Sequence, residues 1–239
     1  MSLFDTLVVV LCGAVGFTLQ GAVGFGMGIL GSPILILIDS RLVPGPVLAS
    51  SMLFTALLAV RERRAIDFGG VRWAVAGRAV GTIPAAALLA VLPSEQLDLL
   101  FGGIVLFAVA ISVSGLHVEP RPVSLVVGGA LSGLMGTIAS IGGPPLALLY
   151  QHAPGARVRG TLSGIFLVGS FISLVALALV GRFGREELRL TLALVPGIVF
   201  GFVVSRRIAS RLDGGHTRRA VLTIAAAAGL IVVARYFMT

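Results

Sequence analysis

Charged side chains are scarce in this chain, and that scarcity limits its class before any motif is considered. Of the 239 residues only 12% are Asp, Glu, Lys or Arg, whereas 57% are hydrophobic. An ordinary soluble domain carries about twice that share of charge. The mean hydropathy of +1.07 instead fits several spans of about 20 apolar residues each. The composition predicts one integral membrane protein and excludes a separate soluble domain.

Residues that commonly build active sites are also few. Cys12 is the only cysteine, so no internal disulfide can form. The three histidines fall in or beside predicted loops, and no cluster of His, Asp and Glu has the spacing of metal ligands. Ser132 and Ser163, each followed by glycine, lack a base within reach that would make either a nucleophile. We expect neither enzymatic activity nor a metal or cofactor.

The charge that is present is mostly basic, with a net charge of +8. The arginines lie in short loops beside apolar runs, as cytoplasmic flanks do, and form no extended basic surface. Nucleic acid is therefore not an expected partner, whereas the lipid bilayer is. The arginine-rich loops 61–64 and 206–219 should face the cytoplasm, and loop 93–96, which has no Lys or Arg, should lie outside. Arg182, Arg185 and Arg189 oppose this orientation, although Glu186 and Glu187 accompany them.

The apolar segments form two similar series, which indicates an internal duplication. Pro44-Gly45 matches Pro154-Gly155, and Gly77-x-x-x-Gly81 matches Gly197-x-x-x-Gly201, a spacing that favours close helix packing. We assign residues 1–116 to a first repeat and 117–239 to a second repeat of one transporter domain. The segments are 3–19, 22–38, 43–60, 71–92 and 97–115, then 123–138, 145–152, 161–180, 188–204 and 220–237.

A glycine–proline break interrupts the apolar sequence at a corresponding place in each half. The first runs from Gly24 to Pro33, and the second from Ser140 to Pro145, with the sequence Ser-Ile-Gly-Gly-Pro-Pro. Irregular backbone at membrane depth is tolerated only where it is buried in protein or lines a cavity. Broken segments in corresponding positions of two halves are the best sequence indication of a transporter's binding site.

Segment length predicts how the second break is built. Residues 145–152 reach only about 12 Å as a helix, against a hydrocarbon core of about 30 Å. Segments 123–138 and 145–152 should therefore form a re-entrant hairpin on the cytoplasmic side, with its tip at Gly142-Gly143-Pro144. In the first half, two full spans remain an alternative. We predict an all-α integral membrane fold with about eight full spans. It comprises two inverted repeats, each a re-entrant or broken helical hairpin plus three transmembrane helices, with both termini outside.

The candidate substrate-binding residues lie at the two breaks and on nearby segments. Glycines let two backbones approach closely, prolines suit helix starts, whose free N–H groups attract anions, and hydroxyl or amide side chains add donors. Arg78 has two readings: its charge snorkels to the cytoplasmic interface, or it is a cation on the anion path. The set is Gln20, Gly26, Gly28, Ser32, Pro33, Arg78, Thr137, Ser140, Gly142, Gly143 and Pro144.

Two stretches resemble the TauE/SafE-like sulfite exporter family, also called the 4-toluene sulfonate uptake permease family. One is Gly21-Ala22-Val23-Gly24-Phe25-Gly26-Met27-Gly28 leading to Ser32-Pro33, and the other is Leu131-Ser132-Gly133-Leu134-Met135-Gly136-Thr137 leading to Ile141-Gly142-Gly143-Pro144-Pro145. The resemblance covers nearly the whole chain. It implies a multi-pass transporter of the cell inner membrane that moves small sulfur-containing anions such as sulfite or sulfonates.

The function predicted on these grounds is transport of a small anion by alternating access, in the direction of export. Two alternatives stay open. One is a passive anion channel, and the other is a membrane subunit that anchors a partner complex without transporting anything. A small anionic substrate and the bilayer are the expected partners, and a homodimer is a further partner that the sequence allows.

Overall fold

The computed structural model describes residues 2–209 and 215–238, and in these ranges it contains helices and connections but no strand. The helices follow the predicted apolar segments, with the boundaries sharpened. They are α1 (Leu3–Val23), α2 (Ser32–Ile38), α3 (Gly45–Arg61), α4 (Phe68–Val91), α5 (Ser94–Val113), α6 (Pro122–Ala139), α7 (Gly143–Leu149), α8 (Gly155–Leu179), α9 (Arg185–Ile208) and α10 (Gly215–Met238).

Six helical stretches are long and apolar enough to cross a bilayer: α1, the stretch Ser40–Arg61 that ends in α3, and α4, α6, α8 and α9. α5 and α10 have 20 and 24 residues, but their described apolar stretches, Leu99–Val113 and Leu222–Ala234, are shorter. Large apolar side chains such as Ile83 and Phe171 are exposed on the spans, as lipid contact requires. The all-helical, multi-pass fold is confirmed, and the count of about eight spans stays a prediction for α5 and α10.

Both predicted breaks interrupt a helix. α1 ends at Gly24, whose φ of +98° lies in the left-handed region that suits glycine. A π-helical turn, Met27–Gly31, then leads into α2. In the second half α6 ends at Ala139 and is capped by Ser140, and α7 begins at Gly143. Pro144 lies at the second position of α7, so the predicted helix start there is confirmed. Pro33 lies inside the continuous helical stretch Met27–Ile38, because the π-helical turn runs into α2 without a break, so the predicted helix start at Pro33 is wrong.

The reversal in the second break comes earlier than the sequence indicated. The Ser132 hydroxyl donates a hydrogen bond of 2.6 Å to the Gly142 carbonyl, so Gly142 already lies level with the middle of α6. The tip is therefore at Ser140, whose hydroxyl donates to the Pro44 carbonyl at the start of α3 (2.9 Å). Gly142-Gly143-Pro144 begins the returning half-helix instead of forming the tip, because α6 is already capped at Ser140, whose φ of +61° turns the chain back.

Helices of the first half pack mainly against helices of the second. α1 packs along α9, and α4 packs along α6. α3 lies against α8 and α9, α4 also lies against α8, and α5 contacts α10. The helices α1, α3, α4 and α5 of the first half correspond in order to α6, α8, α9 and α10 of the second. If each helix is replaced by its counterpart, every one of these contacts becomes another contact of the same set. Two-fold-related repeats produce such a pattern, and the division at 116/117 remains our prediction.

Glycines bring the backbones of the two main helix pairs into direct contact. A Cβ atom on Gly77 or Gly81 of α4 would collide with the carbonyl oxygen of Val126 or Ala130 of α6. On α9, a Cβ on Gly201 would lie 2.6 Å from the Phe17 Cβ of α1. The packing interpretation of both Gly-x-x-x-Gly spacings is confirmed. We call these two contacts the glycine seams; residue numbers rise together along each, so the paired helices run parallel.

We expect Gly81→Ala to destabilise the protein. The new Cβ would collide with the Ala130 carbonyl oxygen of α6, and backbone cannot move aside as a flexible side chain can. Overpacking typically costs about 1–3 kcal/mol, which for a chain of this size corresponds to a fall in Tm on the order of 5 °C. The control is Gly103→Ala on α5, where no atom lies within 4 Å of the new Cβ. Thermal unfolding of the two variants in the same detergent checks this. Equal Tm values would show that the α4–α6 seam is not close-packed.

Candidate functional site

A small cavity lies between the two breaks. Its volume is about 40 Å³, room for about three water molecules. α1, α3, α4, α6, α7 and α8 contribute to it, together with the connection that follows α1. Its lining consists of Gln20, Phe25, Gly26, Gly28, Ile29, Leu48, Ser51, Arg78, Gly136, Ser140, Gly142, Gly143, Pro144, Phe166 and Ser170.

Most of the candidate residues meet at this cavity. Eight of the eleven line it: Gln20, Gly26, Gly28, Arg78, Ser140, Gly142, Gly143 and Pro144. Three lie outside the lining. Ser32 and Pro33 are buried at the start of α2, and the Thr137 hydroxyl is hydrogen bonded to Thr82 (3.1 Å) and Ser173 (2.8 Å). A role for these three in binding stays a prediction.

The two breaks touch each other beside the cavity. A Cβ on Gly28 would meet the Ser140 carbonyl oxygen, and a Cβ on Gly143 would lie 2.7 Å from the Phe25 Cβ. Glycine is needed at both positions. A larger residue at position 28 would collide with the backbone of Ser140, and one at position 143 would collide with the Phe25 side chain. The cavity is therefore bordered by irregular backbone from both halves of the chain.

Arg78 is the cation of the cavity. Only 1% of its surface is exposed, which excludes the snorkelling interpretation, since a snorkelling side chain keeps its charge in interfacial water. Nη1 donates to the Ser132 hydroxyl at 2.6 Å and approaches the Ser132 carbonyl at 3.4 Å. Cζ lies 5.4 Å from the centroid of the Phe166 ring, a cation–π contact.

The Arg78 guanidinium has no anionic partner within the described ranges. None of the ion pairs found there includes it, and its Nε is buried without an acceptor. Both of its hydrogen bonds leave from Nη1, although guanidinium offers five N–H donors. A charge buried in this way costs several kcal/mol unless a partner neutralises it. The geometry fits an anion in the cavity as that partner.

Glycines of α6, of α8 and of the connection before α7 make the space that the guanidinium occupies. A Cβ on Gly142 would lie 2.6 Å from Nη1, one on Gly136 would lie 3.2 Å from Nη2, and one on Gly169 of α8 would overlap Nε. Ser132 holds the group from α6 by accepting from Nη1 while donating to the Gly142 carbonyl. One hydroxyl thus links α4, α6 and the start of α7. Its proton is donated to the Gly142 carbonyl, whereas a serine nucleophile would have to donate that proton to a base.

The sequence did not identify Phe25, Gly136, Phe166, Gly169 or Ser132 as part of the site. Phe25 and Gly136 stand within or next to the two motifs, so inspection of the motif neighbours could have found them. Phe166 and Gly169 lie on α8, outside either break. Only the packing of α8 against α4 brings them to Arg78, and no local pattern in the sequence marks them.

An ion-paired cluster lies just beyond the cavity, at the end of α1. The Glu62 carboxylate accepts from Arg61 (3.3 Å) and Arg159 (3.2 Å), and all three side chains are only 14–16% exposed. Arg61 also donates to the Gly21 carbonyl at 2.8 Å, one residue after Gln20 of the cavity. The contacts tie α1 to the end of α3 and the start of α8. We call this group the Glu62 cluster.

A second polar group caps the start of α4. The Asp67 carboxylate accepts from the Gly70 N–H (3.0 Å), Arg157 (3.0 Å) and the Tyr150 hydroxyl (3.3 Å). Burial raises the pKa of Asp67, but the hydrogen bonds from Gly70 and Arg157 lower it by more, so the pKa lies below its usual range. Burial and the nearby carboxylate raise the pKa of Tyr150. Asp67 therefore stays ionised near neutral pH.

Arg182, one of the arginines that opposed the predicted orientation, has a local structural role. Its Nε donates to the Leu89 carbonyl (3.0 Å) and its Nη2 to the Leu92 carbonyl (3.2 Å). These are carbonyls at the end of α4, which a helix leaves unpaired and a cation stabilises. Its position is explained by this cap, whichever side of the membrane it occupies.

The comparisons with known proteins agree with the resemblance seen in the motifs. A family model described as sulfite exporter TauE/SafE matches residues 9–232, nearly the whole chain. Searches of curated proteins and of solved structures gave no significant match. The matched range contains both breaks, both glycine seams and every residue that lines the cavity. The chain belongs to the TauE/SafE sulfite exporter family.

Proposed function

We propose that this protein exports small sulfur-containing anions, such as sulfite or small sulfonates, across the cell membrane, with the cavity around Arg78 as the substrate site. The observation that carries the proposal is a fully buried guanidinium that has no carboxylate partner among the described residues and lies beside a cavity bordered by two helix breaks. Membership in a family named for sulfite export supports the substrate class and the direction. It also supports a transporter and not an enzyme.

A substrate anion supplies the negative charge that the cavity lacks. A charged residue inside a membrane protein is costly and normally marks a substrate or ion pathway. If Arg78 served only to stabilise the fold, an acidic partner would be expected beside it, because an unpaired buried charge destabilises strongly. The Ser51 and Ser170 side chains on the lining can help to solvate the oxygens of an oxoanion, whereas the single Ser140 hydroxyl proton is donated to the Pro44 carbonyl.

Alternating access is the mechanism that we propose. The arginine-rich connection between α3 and α4 indicates the cytoplasmic side, so the Glu62 cluster would close the cytoplasmic end of the cavity in this conformation. Its salt bridges and its bonds to α1 would have to open before the anion could pass that way. In this arrangement the repeats are inverted, both termini are outside, and the protein is a multi-pass protein of the inner membrane.

Counterflow in proteoliposomes tests the proposal. Purified protein is reconstituted with unlabelled sulfite inside, and trace sulfur-labelled sulfite is added outside. A carrier should accumulate label transiently above equilibrium, and small sulfonates should reduce that accumulation. Protein-free liposomes and liposomes with heat-unfolded protein are the controls.

Other results would favour the alternatives. Equilibration of label without overshoot would indicate a passive channel. Absence of any flux from folded, inserted protein, together with copurification of a stoichiometric partner, would indicate an anchor subunit. Cross-linking in native membranes tests the predicted homodimer separately.

A further inference from the structure

The charge inventory of the cavity is unusually simple. Fifteen residues line it. Arg78 is the only one with a charge, and none of them is Asp, Glu, His, Tyr or Cys. The site therefore has one fixed positive charge across the physiological pH range, since a guanidinium is effectively always protonated.

Charged groups on the surrounding helices lie at helix ends and outside the lining. Most are held there by partners of their own: Asp67 pairs with Arg157, Glu62 with Arg61 and Arg159, and Arg121 with Glu119. Asp5 caps the start of α1 through Ser2, and Arg72 lies over the Trp73 ring. α7 contains no charged residue and is followed by Tyr150, which bonds Asp67. By element, these groups are Asp5 on α1, Arg61 and Glu62 at the end of α3, Asp67 and Arg72 at the start of α4, Arg121 before α6, and Arg157 and Arg159 on α8.

One cation in a small cavity balances one negative charge. Once an anion fills a space that holds about three water molecules, little room is left for water to hydrate a second charge on the ligand. That charge would remain buried without a partner, the situation that proteins avoid most strongly. A doubly charged anion of the same size is therefore disfavoured, even though it attracts the guanidinium more strongly.

We propose that the cavity selects singly charged oxoanions, binding hydrogensulfite and small monosulfonates and rejecting dianions such as the fully ionised form of sulfite. This selectivity rests on the proposed function and specifies the ionic form of its substrate. Sulfite interconverts between monoanion and dianion near neutral pH by gaining or losing one proton. Each hydrogensulfite that crosses carries that proton with it, so net proton movement needs no titratable side chain in the protein.

Two anions of nearly the same shape give the sharpest test. Methanesulfonate and sulfate are both tetrahedral at sulfur, but sulfate has a charged oxygen where methanesulfonate has a methyl group. Each is added as a competitor of sulfite counterflow at one pH near 6. We expect methanesulfonate to compete at concentrations about 100-fold lower than sulfate. Equal or stronger competition by sulfate would overturn the proposal.

The pH dependence of sulfite and methanesulfonate transport is an independent measurement. Between about pH 6 and about pH 8, the half-saturating concentration of total sulfite should rise, approaching about tenfold per pH unit once the dianion predominates. Methanesulfonate, whose charge is constant, should show no such rise, and it also controls for titration of the protein. A flat or falling value for sulfite would overturn the selectivity while leaving the proposed function standing. If neither anion is transported at any pH, the proposed function fails as well.

Discussion

Replacing Arg78 with Gln is expected to reduce sulfite counterflow by about 100-fold or more. The substitution removes the only charge on the cavity lining while keeping a polar side chain that ends near the position of the Arg78 Nε. One hydrogen bond to a charged group contributes about 1.5–3 kcal/mol, and the charge itself adds to that, so two powers of ten is a conservative expectation. The measurement is initial counterflow rate at subsaturating sulfite, corrected for the amount of inserted protein.

Arg72→Gln is the matched control for this variant. Arg72 lies six residues earlier on α4, but it is exposed and stacks on Trp73 outside the cavity. Its loss should change the rate less than about twofold, because exposed charges contribute little. Arg78→Lys should fall between wild type and Arg78→Gln, since the ammonium keeps the charge but lacks the planar fork. Wild-type rates from correctly inserted Arg78→Gln protein would exclude Arg78 from the substrate site.

Gly169→Ala should lower counterflow by about 10- to 100-fold although Gly169 is not part of the cavity lining. Its added Cβ would overlap the Arg78 Nε, so the guanidinium must shift and its 2.6 Å bond to Ser132 must lengthen or break. Small displacements of a positioned group commonly cost this much in rate. Counterflow and Tm are measured together, because overpacking can also lower stability.

The control for Gly169→Ala lies on the same helix. Gly164→Ala places its Cβ 3.4 Å from Val71, an ordinary contact, and should transport at the wild-type rate. Combining Gly169→Ala with Arg78→Ala provides a further test. If Gly169 acts through Arg78, the double variant should be no slower than Arg78→Ala alone, because alanine at position 78 lacks the Cδ and Nε atoms that the added Cβ would overlap. Additive losses would mean that Gly169 acts on transport by another route.

Much of the fold could be predicted because membrane spans depend on length and apolar composition, which are local properties. The segment 145–152 was too short to span, and it forms the half-helix α7. The first break was harder to predict. The sequence left two full spans open there, and the structure has the full-length α1 followed by a π-helical turn and the seven-residue α2. Gly and Pro predict that a helix is interrupted, but not how the chain continues.

The site was predictable only where its residues are unusual for a membrane interior. Gly28 and Gly142 belong to the glycine–proline breaks, Arg78 is a charge within an apolar segment, and all three line the cavity. Ser132 and Gly169 do not stand out, because small residues are common on packed helices. Their importance comes from facing Arg78, and which residues face each other is decided by the packing of α4 against α6 and α8. That packing joins residues more than fifty positions apart, beyond the range of any motif.

The glycine seams limit how such a protein can move. Backbone lies against backbone along α1–α9 and along α4–α6, so sliding within either pair would force atoms into overlap. Each seam joins a helix from the first half of the chain to a helix from the second. The mechanical boundary therefore does not coincide with the predicted boundary between the two halves of the sequence. Rigid units that rock during a transport cycle would each be hybrids, one built on α1 and α9 and the other on α4 and α6, with the cavity between them.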